Sequence, residues 1–417
     1  HDCYIALKRT CCYAESGGQV SDTGMIIGKN FKARLLDVFK APNGQHIHKV
    51  KLLDGYISYN DECEIILDKD RRKRTEANHS SVHMLQYALQ QCVSSQIRQA
   101  GSYVDGDKLR FDFTYSGKMT DDKIIEVENF VNDMINKQII ISTEVMPIDK
   151  AKQIGAMALF NEKYGDIVRV VKIGKSIELC GGTHAANTKD ILRFAISSYE
   201  SKGSNLYRIE AVTGLKIEDS LFDIIKPYND EMIKLLMKAK EILDEAKEMG
   251  IKLDFDVEID NSKPTSYKDI IFNRNELQYI QQEVRDLEKK YITKREQQVL
   301  ANLDIYRERI RNYNGTFGLL MTVENKDVNL LKTVADAMIE EMGTGFVFFA
   351  NVKDDGSVNF LSRSNCHVNS GLIVKDAAVS SLGNGGGSPT FAQGGGKTKD
   401  YLPKIYTHIE KVLKNEE

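Results

Sequence analysis

Long hydrophobic runs and an initiating methionine are both lacking in this sequence. No apolar stretch in the 417 residues approaches the roughly 18 that a membrane-spanning helix needs, so we expect no membrane partner. The chain begins at His1, and residues 5–7 already have the pattern of a strand interior. We therefore expect a piece of a longer protein, from which any targeting segment would be missing.

A strong net charge and a disulfide pattern are lacking as well. The formal net charge is −3, so any contact with RNA must come from local basic patches. The seven cysteines are an odd number scattered through a long chain, which argues against a secreted disulfide framework. We expect a reducing compartment, namely the cytoplasm, with an organelle as the alternative.

The distribution of apolar residues predicts four regions and an α+β fold. Residues 1–70 carry short apolar clusters separated by Gly, Asn and Asp, as in a small antiparallel β-module. This module should sit on an α/β core of residues 71–214. Apolar side chains spaced by three and four residues over 215–314 predict two long helices in an antiparallel coil, with an ordinary helical bundle as the alternative. Residues 315–417 should form a C-terminal α/β domain.

Periodicity also places individual elements within these regions. The predicted helices cover residues 80–93, 121–137, 148–160 and 330–341. The predicted strands cover residues 109–113, 139–145, 167–171, 317–323, 345–351 and 359–362.

Two short motifs contain side chains that can bind a metal. In His79-Ser-Ser-Val-His83 the histidines stand four apart, so a helix would present them on one face. In Cys180-Gly-Gly-Thr-His184 the glycines disfavour a helix and favour a tight turn, where glycine supplies a positive φ. Three imidazoles and one thiol suit tetrahedral zinc. The alternative is that the first pair are unrelated surface or core histidines.

The first motif differs from that of the zinc metallopeptidases at one decisive position. Their H-E-x-x-H motif has a glutamate after the first histidine, where this chain has Ser80, so the general base is missing. The role of a bound zinc stays open at this point. Four protein ligands are typical of a closed structural site, whereas a catalytic site keeps a position for water.

A glycine-rich segment, residues 383–398, ends in Gly-Lys-Thr and invites comparison with a phosphate-binding loop. A Walker A motif needs glycine five positions before Gly396, and Phe391 stands there, which excludes that class of NTPase. Its backbone amides could still bind RNA phosphates. The alternative is a flexible or tightly turned loop.

Longer segments around these motifs resemble the editing domain of alanyl-tRNA synthetases. They follow in order within residues 4–214 and cover residues 9–24, 78–83, 101–104, 109–112, 155–160, 178–184 and 208–214. The remaining residues resemble the helical and glycine-rich (DHH-associated) C-terminal part of the same family. The resemblance implies the editing and C-terminal portions of such an enzyme without its aminoacylation core.

The resemblance implies hydrolytic editing of mischarged Ser-tRNA(Ala) and Gly-tRNA(Ala). Such editing is needed because a pocket for alanine rejects neither glycine nor one extra hydroxyl strongly. By the family's motifs, the Zn²⁺ ligands are His79, His83, Cys180 and His184, the catalytic residues Gln99 and Cys180, and the substrate contacts Gln19 and Gln99. For each glutamine the alternative is a hydrogen bond that holds a loop. The implied partners are tRNA(Ala), mischarged aminoacyl-tRNA and a second copy bound through the C-terminal domain.

The sequence suggests no Ser-His-Asp arrangement, so we expect water, oriented by the zinc site and the terminal ribose hydroxyl, to attack the ester. Two further hypotheses stay open. One is a non-catalytic tRNA-binding and dimerisation module with structural zinc, and the other is a free-standing trans-editing protein.

Overall fold

A computed structural model describes residues 2–158, 164–203 and 205–416. The chain folds into two compact units, His1–Lys234 with Val257–Gln281 and Leu235–Asp256 with Gln282–Glu417. The mixture of helices and largely antiparallel sheets confirms the α+β class, while the division into four regions stays a prediction. No helix in the described part of the chain is long and apolar enough to cross a membrane.

The first unit begins with the predicted antiparallel β-module. Its sheet has the order β1-β4-β3-β2-β5 and comprises β1 (Asp2–Ala6), β2 (Gly24–Gly28), β3 (Phe31–Lys40), β4 (His46–Gly55) and β5 (Cys63–Leu67). Alternate side chains of β3, such as Ala33 and Leu35, are buried, as the two-residue period of a half-buried strand requires.

The rest of the first unit builds a helical layer against two further antiparallel sheets, β11-β12-β7-β6 and β10-β9-β8. Its elements are α1 (Lys69–Cys92), β6 (Arg98–Val104), β7 (Leu109–Thr114), α2 (Asp121–Asn136), β8 (Ile141–Pro147), α3 (Ile148–Gln153), β9 (Ile167–Ile173), β10 (Ser176–Leu179), β11 (Phe194–Gly203) and β12 (Leu206–Thr213). Helix α1 contributes fully buried residues such as Met84, Leu85 and Leu89 to the core.

Two helix bounds differ from the predictions by more than two residues. Helix α1 begins well before Ser80, because the Asp68 side chain caps it by accepting from the Arg71 amide, and its charged first turns give no apolar period. Helix α3 ends at Gln153, and the positive φ of Gly155 breaks the expected continuation. The last two residues predicted for it, 159 and 160, lie outside the described residues.

The long helices are α4 (Ile217–Glu248) and α5 (Tyr267–Ala301). In the second unit Lys238 forms a hydrogen bond with Glu288, and Glu245 forms one with Tyr291. The residue farther along α4 thus contacts the residue farther along α5. The helices therefore run parallel, and the prediction of an antiparallel coil is wrong. The physical reason is the connection between the two helices. Residues 249–266 form no helix or strand, and at roughly 3.3 Å per residue an extended chain of this length is long enough to run back along a helix such as α4.

The second unit ends in the predicted C-terminal α/β domain, whose sheet has the order β13-β14-β15-β16-β18-β17 within the described residues. The elements are α6 (Asp304–Arg307), β13 (Ile310–Tyr313), β14 (Thr316–Glu324), α7 (Val328–Met342), β15 (Gly345–Val352), β16 (Val358–Ser364), α8 (Ser370–Ser380), β17 (Asn384–Gly387), β18 (Phe391–Gly396) and α9 (Leu402–Leu413). Strands β14 and β15 are parallel, and helix α7 forms the crossover between them.

The glycine-rich segment is a β-hairpin of β17 and β18, so the alternative of a flexible loop is wrong. Gly385 and Gly394 face each other so closely that a Cβ on Gly385 would lie 2.7 Å from the Cα of Gly394. Glycine is needed here because the two backbones almost touch.

Candidate metal centre

The two metal-binding motifs meet in the first unit. His79 and His83 project from one face of α1, and Cys180 and His184 lie on the turn that follows β10. The four potential ligand atoms all lie within 4.8 Å of one another. The Cys180 Sγ is 3.5 Å from the Nε2 of His79 and 3.3 Å from that of His184. We call these four residues the His/Cys cluster.

Each imidazole of the cluster is held from outside through its Nδ1. The Nδ1 of His79 lies 2.6 Å from Gln19 Oε1, and that of His83 lies 2.6 Å from Glu178 Oε2. The Nδ1 of His184 lies 3.2 Å from the Ser80 hydroxyl. Histidines that bind metals almost always have such outer partners, which orient the ring and direct the other nitrogen to the ion.

The cluster has a buried polar atom that lacks a hydrogen-bond partner among the described residues. Within residues 2–158, 164–203 and 205–416, the buried Nε2 of His83 has no hydrogen-bond partner, although its Nδ1 lies 2.6 Å from Glu178. An unpartnered buried nitrogen is costly. Its position beside a thiol and two further imidazoles fits the donor set of a zinc ion.

Electrostatics in the cluster also suits a cation. Burial raises the pKa of the Cys180 thiol, but His79 and His83 outweigh burial and hold that pKa well below its usual value. Burial lowers the pKa of His83, but the charges of Glu178 and Cys180 raise it well above its usual value. Burial, followed by the charge of His79, lowers the pKa of His184 to about 3, which leaves this ring neutral. A thiolate beside a neutral imidazole is a pair of good metal ligands.

The turn between Cys180 and His184 needs glycine, but for a reason other than the one predicted. Neither Gly181 nor Gly182 has a positive φ. A Cβ on Gly182 would instead lie 2.0 Å from Cε1 of His79, so the backbone must pass directly against this ring. Arg169 on β9 fixes the turn by donating to the carbonyls of Cys180, at 2.9 Å, and Gly182, at 2.6 Å.

The His/Cys cluster forms one wall of a cavity of about 300 Å³. Gln99 on β6 lies in the lining, where its Nε2 donates to the Ser102 hydroxyl at 3.0 Å. Lys40, at the end of β3, and Arg169 add positive charge to the same lining. The cavity thus combines the cluster with hydrogen-bonding groups and cations, which suits a small polar, negatively charged ligand.

Gln19 lies behind the cluster and is only 1% exposed. Its Oε1 accepts a hydrogen bond from the Thr183 amide at 2.9 Å and also lies against the ring of His79. Its Nε2 donates a hydrogen bond to the Thr183 hydroxyl at 2.8 Å. This glutamine therefore links α1 to the turn. Its expected contact with a substrate stays a prediction.

The outer partners of the cluster were not predicted from the sequence. In the sequence, Ser80 was considered only as the residue at the position of the metallopeptidase glutamate. Glu178 and Arg169 were assigned no role. One signal was present for Glu178: it is an acid between the apolar Ile177 and Leu179, where a buried side chain needs a polar partner. Ser176 donates a further hydrogen bond to it at 2.8 Å.

Three protein families match parts of this chain. Residues 1–71 match tRNA synthetases class II (A), residues 168–210 match the threonyl and alanyl tRNA synthetase second additional domain, and residues 315–415 match the DHHA1 domain. The second match contains Arg169, Glu178 and the Cys180–His184 turn described above.

Among curated proteins, the chain is 35% identical to an alanine–tRNA ligase of Halalkalibacterium halodurans over 98% of its length and 34% identical to one of Listeria monocytogenes over 100%. It spans 44% of the length of each. A solved structure, the C-Ala domain of Aquifex aeolicus alanyl-tRNA synthetase, is 25% identical, with a TM-score of 0.24, over 25% of this chain and 97% of that one. Over nearly its whole length, this chain belongs to the alanyl-tRNA synthetase family.

Proposed function

We propose that this chain hydrolyses the ester bond of mischarged Ser-tRNA(Ala) and Gly-tRNA(Ala), with Zn²⁺ held by His79, His83, Cys180 and His184. One observation carries the proposal. The His/Cys cluster, each imidazole braced from outside, forms a wall of a cavity that also presents the Gln99 carboxamide. Proteins of this family need such a second site because a pocket for alanine admits glycine and serine.

The residues around the cavity have distinct proposed roles. When bound, zinc would supply a positive charge that polarises or orients nearby oxygen atoms. The carboxamide of Gln99 and the hydroxyl of Ser102 would bind the amino acid of the substrate. Lys40 would attract the phosphates of the RNA end. The attacking group would be water, because the Cys180 thiolate is committed to the cluster.

The same lining offers a physical basis for hydrolysing the seryl ester in preference to the alanyl ester. A seryl hydroxyl can exchange hydrogen bonds with the carboxamide of Gln99, whereas an alanyl methyl group cannot. A site that binds a substrate hydroxyl discriminates strongly against the analogue without it, because its polar groups are then left unpaired.

The test is deacylation of Ser-tRNA(Ala) by the double variant Cys180→Ala, Gln99→His. We expect this variant to lose hydrolysis while retaining its fold, since both side chains lie at the cavity. Cys11→Ala is the control, because Cys11 is exposed and lies outside the cavity lining. Deacylation at the wild-type rate in the double variant would contradict the assignment of these residues.

A second function is favoured by the number of ligands. Four protein side chains can fill a tetrahedral zinc site, which is usual for structural rather than catalytic zinc. The chain would then be a tRNA-binding module, with dimerisation through the C-terminal domain. Tight tRNA(Ala) binding without hydrolysis, together with unfolding on chelation, would support it.

The cellular setting belongs to the proposal as well. All seven cysteines are free thiols, and the proposed zinc site needs the Cys180 thiol reduced. Both features suit the reducing cytoplasm.

A further inference from the structure

The N-terminal β-module carries an exposed pair of aromatic rings that the proposed hydrolysis does not use. Tyr4 on β1 is 63% exposed and Phe39 on β3 is 37% exposed. Their ring centroids are 6.1 Å apart in an edge-to-face arrangement. Adjacent exposed aromatic rings on a sheet often mark a binding surface.

Three positively charged side chains and the acids Asp2 and Asp37 lie on the same side of the sheet as these rings. The strand register pairs Tyr4 with Lys49 and Arg34 with Lys51. Phe39 follows two residues after Asp37, which is also paired with Lys49, and paired residues point to the same side of a sheet. We call Tyr4, Arg34, Phe39, Lys49 and Lys51 the outer face; the opposite side of the sheet is the buried core.

The charge of the outer face is available to a ligand. Within the described residues, the structure gives no ion pair for Arg34, Lys49 or Lys51. The acid paired with Lys49 in the strand register is Asp37, whose carboxylate accepts from the Ser21 hydroxyl at 2.5 Å. Asp2 lies opposite Lys51 and offsets part of its charge.

The outer face and the cavity of the candidate site are reached from opposite sides of β3. Lys40 follows Phe39 directly in β3 and lines the cavity beside the His/Cys cluster. Because successive side chains of a strand point to opposite sides, a chain that left the cavity at Lys40 would have to pass the end of β3 to reach the aromatic pair.

We propose that the outer face binds the single-stranded 3′ end of an RNA. Its phosphates would lie against Arg34, Lys49 and Lys51, and its bases would stack on Tyr4 and Phe39. Cations that follow the backbone, combined with aromatic rings that stack on bases, are the usual means of holding single strands. That this RNA is an aminoacyl-tRNA rests on the proposed function; the binding surface does not.

The test compares the binding of two uncharged acceptor minihelices, one with a 3′ single-stranded end and one blunt, by fluorescence anisotropy. The variant Tyr4→Ala, Phe39→Ala should bind the RNA with the single-stranded end at least about 5-fold more weakly, and the blunt RNA as the wild type does. Tyr59→Ala is the matched control, because Tyr59 is 95% exposed in the same module. The variant Lys49→Gln, Lys51→Gln should lower the salt slope of binding by about 0.7 for each phosphate that these lysines no longer neutralise.

Three results would overturn the inference: unchanged affinity in the aromatic variant, equal weakening for the blunt RNA, or a change of oligomeric state that shows a second copy on this face. Thermal unfolding measured on each variant serves to check that it is folded. In deacylation assays the aromatic variant should raise KM with kcat unchanged. A wild-type chain that binds RNA through this face without hydrolysing any ester would contradict the proposed function alone.

Discussion

Alanine in place of Gly182 should destroy the proposed zinc site, whereas alanine in place of Gly181 should leave it intact. A Cβ on Gly182 would lie 2.0 Å from Cε1 and 2.4 Å from Nδ1 of His79, and 2.8 Å from Oε1 of Gln19. A Cβ on Gly181 would meet nothing within 4 Å. Neither glycine has a positive φ, so the two substitutions differ only in what the new methyl group contacts.

The size of the effect follows from these distances. Carbon atoms in contact lie about 3.5–4.0 Å apart, so the ring of His79 would have to move by about 1.5 Å. Metal–ligand distances tolerate about 0.2 Å, so His79 could no longer reach the ion. Changing an outer partner of a ligand typically weakens metal affinity about 10–100-fold, and we expect the loss of a ligand to cost at least as much.

The assay is zinc content after dialysis against a graded series of chelator concentrations, with thermal unfolding measured on the same samples. Gly181→Ala should match the wild type, and Gly182→Ala should lose zinc at far lower chelator concentrations. If Gly182→Ala keeps zinc as tightly as Gly181→Ala, His79 is not a ligand and the proposed site is wrong.

Two further predictions concern buried carboxylates. Glu178→Gln removes the carboxylate charge that faces Nδ1 of His83, and it should weaken zinc binding about 10–100-fold in a chelator competition. Glu144→Gln, an exposed change on β8, should leave zinc binding unchanged, and equal affinities of the two variants would contradict this. Burial raises the pKa of Glu128 to about 7 from 4.5, so the folded chain retains a proton that the unfolded chain releases. This carboxyl therefore makes stability fall as pH rises from about 4.5 to about 7, and Glu128→Gln should reduce that fall by up to about 3 kcal/mol in denaturant unfolding. Parallel pH profiles of the two proteins would contradict it.

The four residues of the His/Cys cluster were predictable because each motif is local. A spacing of four on a helix fixes the relative positions of His79 and His83, and glycines between Cys180 and His184 allow a turn. The sequence could not supply the outer partners, because Gln19 is distant in sequence from the ring that it holds. Such contacts depend on how α1 packs against the β-module.

The predicted relative direction of the two long helices was wrong for a related reason. Apolar spacing defines one face of a helix, but that face is the same for a parallel and an antiparallel partner. The extended connection over residues 249–266 decides the direction, and its sequence has no period that marks it as an extended return. In the glycine-rich segment, the requirement for glycine comes from the neighbouring strand, as at Gly394 beside Gly385.

The central claim is tested most directly by the deacylation rates of Ser-tRNA(Ala) and Ala-tRNA(Ala), measured on one purified sample whose zinc content is also determined. We predict stoichiometric zinc, rapid hydrolysis of the seryl ester and little hydrolysis of the alanyl ester. Zinc-loaded protein that hydrolyses neither ester faster than buffer, or both at the same rate, would contradict the proposal.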